Sequence, residues 1–265
     1  MIAVQVPKAA EQPRSKRSVP RMIVAAAAVA LGISIWSQAR AEIGAGSGAG
    51  PYHGCPAAAV DPLSLYGDEL VFKVRRNGQS VGMHTVRFER AGDTITTRTR
   101  FDVEVDVLFF TAYRYLYEST ATWRNGCLVS LKAVTDDNGD QSRVSVERRD
   151  GELVVTGPAG TTTTGIGTMP TEHWNAQVLG DRSVINTITG RVNAVVLDSG
   201  GTETVVLGDG VSGPARRYVY RGELANEVWY DEKARWVRMR FPGKDGSTIE
   251  YICVACGRGN DVSRS

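Results

Sequence analysis

The sequence predicts an all-β protein: an antiparallel meander that forms a curved sheet or barrel, with one short helix near 171–180. Three observations carry this expectation. Asn-Gly or Asp-Gly pairs stand at 77–78, 125–126, 138–139, 150–151, 209–210 and 245–246, and such pairs best tolerate the positive φ that both residues of a type I′ hairpin turn need. Residues 94–107 alternate, with Ile95, Phe101, Val103, Val105 and Val107 on one face and Arg98, Arg100, Asp102, Glu104 and Asp106 on the other, a period of two that no amphipathic helix shows. The segments of this kind number around fourteen, and a twisted open sheet of that size must curl or close.

The chain opens on an address. Residues 1–21 hold Lys8, Arg14, Lys16, Arg17 and Arg21 against Glu11, and an apolar run from Met22 to Trp36 ends at Ser37-Gln38-Ala39-Arg40-Ala41. A basic start, a short apolar core and a small-x-small ending read as a cleavable signal peptide, 1–41, cut after Ala41. The run of 15 residues is shorter than the ~20 a spanning helix needs. The expected location is therefore periplasmic or secreted, with a soluble mature chain.

Removing the address changes the charge. The whole chain carries 31 basic and 29 acidic residues, and the first 41 residues take six basic and one acidic with them, leaving a balance of −3. A mildly acidic body gives no electrostatic reason to expect a nucleic-acid partner. Residues 42–64 read as a flexible Gly/Ala/Pro-rich linker, 65–256 as a single β-domain and 257–265 as a polar tail.

The expected strands are 69–75, 81–90, 94–107, 111–123, 127–135, 142–149, 152–156, 183–187, 191–197, 202–207, 215–221, 224–230, 235–241 and 247–253. Within 235–241 the alternation places Trp236, Arg238 and Arg240 on one face and Val237, Met239 and Phe241 on the other. The threonine run 161–164 reads as an exposed loop or edge strand. Only 171–180 reads as helical, with Thr171 as N-cap, Glu172 in the first turn, Gly180 as the stop, and Trp174 and Val178 turned inward.

Four cysteines follow the address: Cys55, Cys127, Cys253 and Cys256. An even number in an exported chain suggests disulfides, and four allow three pairings. In an extended strand Cys253 and Cys256 stand ~10 Å apart, too far to join, so that bridge requires the strand to end at Cys253. The rival pairing ties Cys55 to the C-terminal segment. A redox C-x-x-C belongs at a helix start in a βαβ context, which is missing here. Only His53, His84 and His173 are available beside the cysteines, so no metal site is expected, and no cofactor.

No G-x-S-x-G, H-E-x-x-H or P-loop spacing occurs. The expectation leans away from an enzyme and names no catalytic residue; an enzymatic or redox role for His173 or the Cys253/Cys256 pair is the weaker alternative. Asp102, Glu104 and Asp106 share their face with Arg98 and Arg100, which reads as a salt-bridged solvated ribbon and not a cation site. Tyr113, Tyr115 and Tyr117 line one strand face, and Arg216, Tyr218 and Tyr220 another. With His173, Trp174, Asn175 and Trp236, the three tyrosines are the candidate lining of a ligand site in a closed or half-closed β-structure.

Four stretches together resemble a known exported family. They are Y-G-D-E-L-V-F-K-V-R-R-N-G-Q-S-V-G at 66–82, T-E-H-W-N at 171–175, N-T-I-T-G at 186–190, and E-V-W-Y-D with D-G-S-T-I-E-Y between 227 and 251. The chain is similar over roughly 66–253 to the domain-of-unknown-function 6134 family of exported proteobacterial β-rich proteins. That resemblance implies a curved antiparallel sheet or barrel in the periplasm, and it implies no reaction. Trp174, Asn175, Thr187 and Gly190 match its motif positions, and Gly82 is its close-approach hairpin glycine. The expected protein is a non-enzymatic binder of a lipid or other apolar or amphipathic envelope ligand. The alternative is a structural or protein-interaction module with an envelope protein as partner.

Overall fold

The computed structural model describes residues 54–55, 60–107, 110–208 and 210–257. The expected signal peptide, most of the expected linker and all but the first residue of the expected polar tail lie outside these. No helix among the described residues is long and apolar enough to cross a membrane.

A short helix α1 (Pro62–Tyr66) leads in, so the last residues of the expected linker belong to the folded body. Asp61 caps it by accepting from Leu63 N at 3.1 Å, and Pro62 sits where its missing N–H costs nothing. Fourteen strands follow among the described residues. They are β1 (Glu69–Arg76), β2 (Gln79–Ala91), β3 (Thr94–Val107), β4 (Phe110–Arg124), β5 (Cys127–Asp137), β6 (Asp140–Arg149) and β7 (Glu152–Gly157). Next come β8 (Gly160–Gly165), β9 (Ser183–Ile185), β10 (Val192–Gly208), β11 (Val211–Gly222), β12 (Glu227–Asp231), β13 (Trp236–Pro242) and β14 (Thr248–Ala255).

All fourteen form one antiparallel sheet, ordered β8 to β1, then β14 down to β9. Two meanders are thus joined where β1 pairs with β14. The sheet curls. Gly208 of β10 reaches Ala255 of β14, Pro170 bridges Ile185, and the Gly190 backbone packs so close to Gly157 that a Cβ there would sit 3.0 Å away. The outer edges β8 and β9 are thereby drawn together through residues 157–170.

Four of the six expected turns are those the sequence asked for; at 245–246 only Gly246 has positive φ, and Asp209 lies outside the described residues. Asn77-Gly78, Asn125-Gly126, Asn138-Gly139 and Asp150-Gly151 all have positive φ at both positions. The threonine run is edge strand β8, paired on one side with β7. The two strands expected at 191–197 and 202–207 are one strand, β10, with an irregularity between Ser199 and Thr202 that keeps it paired to β11.

The helix near 171–180 is a single 3-10 turn, Ala176–Gly180, and its cap is Asn175, whose Oδ1 accepts from Gln177 N at 3.1 Å. Thr171 is not the cap, because residues 171–175 form an irregular segment that dives into the core. All five are at most 2% exposed.

Strand alternation fails at Trp236. A bulge against Trp229/Tyr230 shifts the register of β13, so Trp236 turns inward, 4.4 Å from the Phe72 ring, and leaves the arginine face. Arg238 and Arg240 stay outside, their guanidiniums 4.7 and 5.6 Å from the ring of Trp229.

Because every step is antiparallel, connections alternate between two ends. One end gathers the turns after β1, β5, β7, β9, β11 and β13. They touch: Asn77 N donates to Thr248 O at 2.9 Å and Ala159 N to Thr189 O at 3.0 Å, and Lys244 pairs with Asp137 at 3.3 Å. The other end is covered by α1, whose Tyr66 stacks on Phe88 at 5.6 Å.

Candidate functional site

The segment Thr171-Glu172-His173-Trp174-Asn175 plugs the interior. Thr171 N donates to Ile185 O at 3.0 Å, and the Trp174 ring meets Phe88 and Trp123 edge-on at 5.5 and 5.4 Å. Glu172 points inward, where its carboxyl accepts from Ser119 Oγ at 3.1 Å and Trp174 Nε1 at 3.2 Å. Burial pushes the Glu172 carboxyl above the usual carboxylate range, and these donors only partly oppose it.

Two histidines share the centre. His84 of β2 lies among Phe72, Phe101, Trp236 and Tyr251, its ring 5.1 Å from that of Tyr251. His173 lies 5.6 Å from Trp236 on its own side and 5.5 Å from Tyr220. Both are 0% exposed, and neither ring nitrogen of either has a hydrogen-bonding protein partner. Burial pulls His84 down to about 3 and His173 well below its usual range, so both are neutral at pH 7. A neutral imidazole can serve as a base, but neither ring reaches the surface.

The tyrosine ladder runs from plug to open end. Tyr117 donates to Thr187 Oγ1 at 2.9 Å, and Tyr113 donates to Asp137 Oδ1 at 2.7 Å. All seven expected lining residues (Tyr113, Tyr115, Tyr117, His173, Trp174, Asn175 and Trp236) are at most 5% exposed. They lie in the packed interior. The salt-bridged ribbon is present too: Arg100 pairs with Asp102 at 2.6 Å and also with Glu118.

The cysteines pair Cys55–Cys127 and Cys253–Cys256. Cys55 is therefore tied to the start of β5 and not to the C-terminal segment. Strand β14 does not end at Cys253. It runs to Ala255, and a register shift between Val71 and Phe72 places Val254 as an extra residue, bringing the Cys253 and Cys256 Cα atoms to 5.9 Å. Both sulfur-bearing residues are nearly inaccessible, at 4% and 1%. No cluster of three or more His, Cys, Asp or Glu fit for a metal exists among the described residues.

Open space lies at the gathered turns. A cleft of about 630 Å³ forms the mouth of the curled sheet. Buried Tyr115 and Leu224 make its floor, with Ile188 beside them. Asp137 and Asp140, Arg191, Glu223 and Lys244 come from four different connections and form its rim. Asn186 shapes one wall: its Oδ1 accepts from Ile188 N and Thr189 N at 3.0 and 3.1 Å, and Gly190 closes the loop with φ 73°. Of the expected lining residues only Tyr115 reaches the cleft. The others the sequence did not announce, because they meet only when distant connections are folded onto one end. The N-T-I-T-G stretch was the single local signal.

Residues 72–254 match the model of a family described as a domain of unknown function, DUF6134. The chain belongs to that family. Among curated proteins none matches. Among solved structures the chain is similar to a β-barrel-like protein of domain of unknown function DUF1849 from Brucella abortus. The identity there is 14%, over 70% of this chain and 94% of that one, with a TM-score of 0.45. In this DUF6134 chain Trp174 and Asn175 belong to the plug, Thr187 receives the Tyr117 hydroxyl and Gly190 sits at the Gly157 crossing.

Proposed function

We propose that this protein is exported and acts as a non-enzymatic binder of an amphipathic envelope component, a lipid or lipoprotein, which it takes at the mouth. The observation that carries the reading is the mouth cleft: an apolar floor of Tyr115 and Leu224 under a charged rim, at the end of the sheet that α1 leaves open. Its volume falls in the range of small-molecule sites, about 300–1,000 Å³. The packed interior favours a site at the end of the sheet over one at its centre. Support for export is the basic, apolar and small-residue succession of 1–41.

The test uses protein purified from a periplasmic extract. N-terminal sequencing should begin at Glu42, and an intact chain held in the cytoplasm would count against export. After delipidation, the protein should enhance an environment-sensitive apolar dye, and Ala159→Trp, which fills the exposed cleft wall, should remove that signal at unchanged stability. Equal dye binding in the variant sinks the mouth as the site.

A second reading, an interaction module, is favoured by β8. Its four threonines are exposed up to Thr163 and half-buried at Thr164, and its outer edge pairs with no strand among the described residues. Uncharged β-branched edges invite strand addition. Cross-linking from Thr163→Cys in whole envelopes should then recover one discrete envelope partner, and a smear of random adducts would discard it.

A further inference from the structure

We infer that the mouth takes a ligand whose polar part is rich in hydrogen-bond donors, such as the hydroxyls of a polyol or glycan headgroup, and disfavours an anionic one. This deepens the reading of the mouth as a binding site and rests on it. Asn193 of β10 carries the argument. It is 4% exposed and lines the cleft. Its amide contacts the Glu223 carboxylate. A carboxylate only accepts, so the group that Asn193 offers it must be Nδ2, and the orientation of the amide is fixed by chemistry. Oδ1 therefore points away from Glu223, and no protein donor meets it. A buried acceptor left without a donor is costly, and the cleft that Asn193 lines is the route by which a ligand hydroxyl or N–H would come to it.

The charges at the rim point the same way. Glu223 is held ionised by the Asn193 amide and by Ala194 N, which donates at 2.9 Å. Asp137 and Asp140 add two more acidic side chains. Against these three stand Arg191 and Lys244, and Lys244 is already committed to Asp137 at 3.3 Å. An entering phosphate or sulfate meets a net acidic rim, with the Asn193 acceptor buried behind it. A polyol meets the carboxylates of Asp137, Asp140 and Glu223, with Leu224 and Ile188 placed to hold its apolar part.

The test is a displacement titration of the bound dye by amphiphiles with one tail and different heads, below their micellar concentrations. Dodecyl maltoside offers donors, dodecyl phosphate an anion, and dodecyl dimethylamine oxide an acceptor alone. The expected order places dodecyl maltoside at least about tenfold tighter than either rival. Asn193→Leu should narrow that gap. Binding of all three with equal or reversed order overturns the donor-rich headgroup and leaves the binding site standing. Failure of every amphiphile to displace dye overturns both. The ranking in the unaltered protein decides the matter even where the variant folds poorly.

Discussion

The Tyr66 hydroxyl donates to the Trp174 carbonyl at 2.9 Å and accepts from the Trp236 backbone N–H at 2.9 Å. One phenol thus ties helix α1 to the plug and to the bulged start of β13. Tyr66 is 3% exposed, so water does not readily replace it. Tyr66→Phe keeps the ring on Phe88 but strands a buried N–H and a buried carbonyl. Unfolding in urea should show a loss of about 2–3 kcal/mol at unchanged slope. A loss within error of zero would mean that the closed end contributes nothing.

What the sequence made legible, and what it did not, divides by range. Turn chemistry is local: Asn77-Gly78 and Asn138-Gly139 adopt positive φ because few other pairs do so cheaply. The alternation of 94–107 is local too, and β3 has the same limits. Trp236 was misplaced because alternation cannot show where a bulge inserts a residue. Glu172 was placed in a helical turn because Thr171-Glu172 looks like a helix start. The fold instead spends that carboxyl on Ser119 and Trp174, partners far away or out of helical register. The mouth was illegible for the same reason, since Asp137, Asn193 and Lys244 meet only through the strand order.

Gly82 is where two backbones come closest. A Cβ there would lie 2.0 Å from the Asp102 carbonyl oxygen, which is main chain and cannot swing aside. Gly82→Ala should therefore cost upwards of about 2 kcal/mol, in the range of strained or overpacked sites. Gly180→Ala makes the control, because a Cβ at Gly180 meets nothing within 4 Å. Thermal melts in which the two variants behave alike would show that β2 and β3 separate easily.

The two disulfides should differ in worth. Cys55–Cys127 spans 72 residues and Cys253–Cys256 only three. Loop-closure entropy assigns about 4 kcal/mol to the first and about 2 to the second. Paired serine variants, Cys55→Ser with Cys127→Ser and Cys253→Ser with Cys256→Ser, should lose stability in that order by denaturant unfolding. The reverse order would show that the C-terminal bridge acts by holding the bulged end of β14 in the folded state.

Acid should unfold this protein through its two central histidines. The folded His84 holds its proton only below about 3, against an ordinary value of 6.5, and His173 is shifted in the same direction. Below pH 6.5 the unfolded chain takes up protons that the folded one refuses, so stability falls as pH falls, by up to about 1.4 kcal/mol per histidine per pH unit. Two acids oppose this. Burial raises Glu172, and raises Asp181 from 3.8 to about 6. Their contributions are full below the unfolded carboxylate values and are lost as pH rises through the folded ones. The histidine effect should therefore stand clear between pH 6.5 and 6 and be partly masked below. His84→Leu with His173→Leu removes four buried ring nitrogens that lack protein partners. The double variant should match the parent in stability near pH 7.5 and then gain on it steadily as pH falls to 5. Asp181→Asn should show the opposite profile, gaining at pH 8 and nothing at pH 3.5. Parallel melting curves for parent and double variant across this range would mean that other groups govern the acid limb.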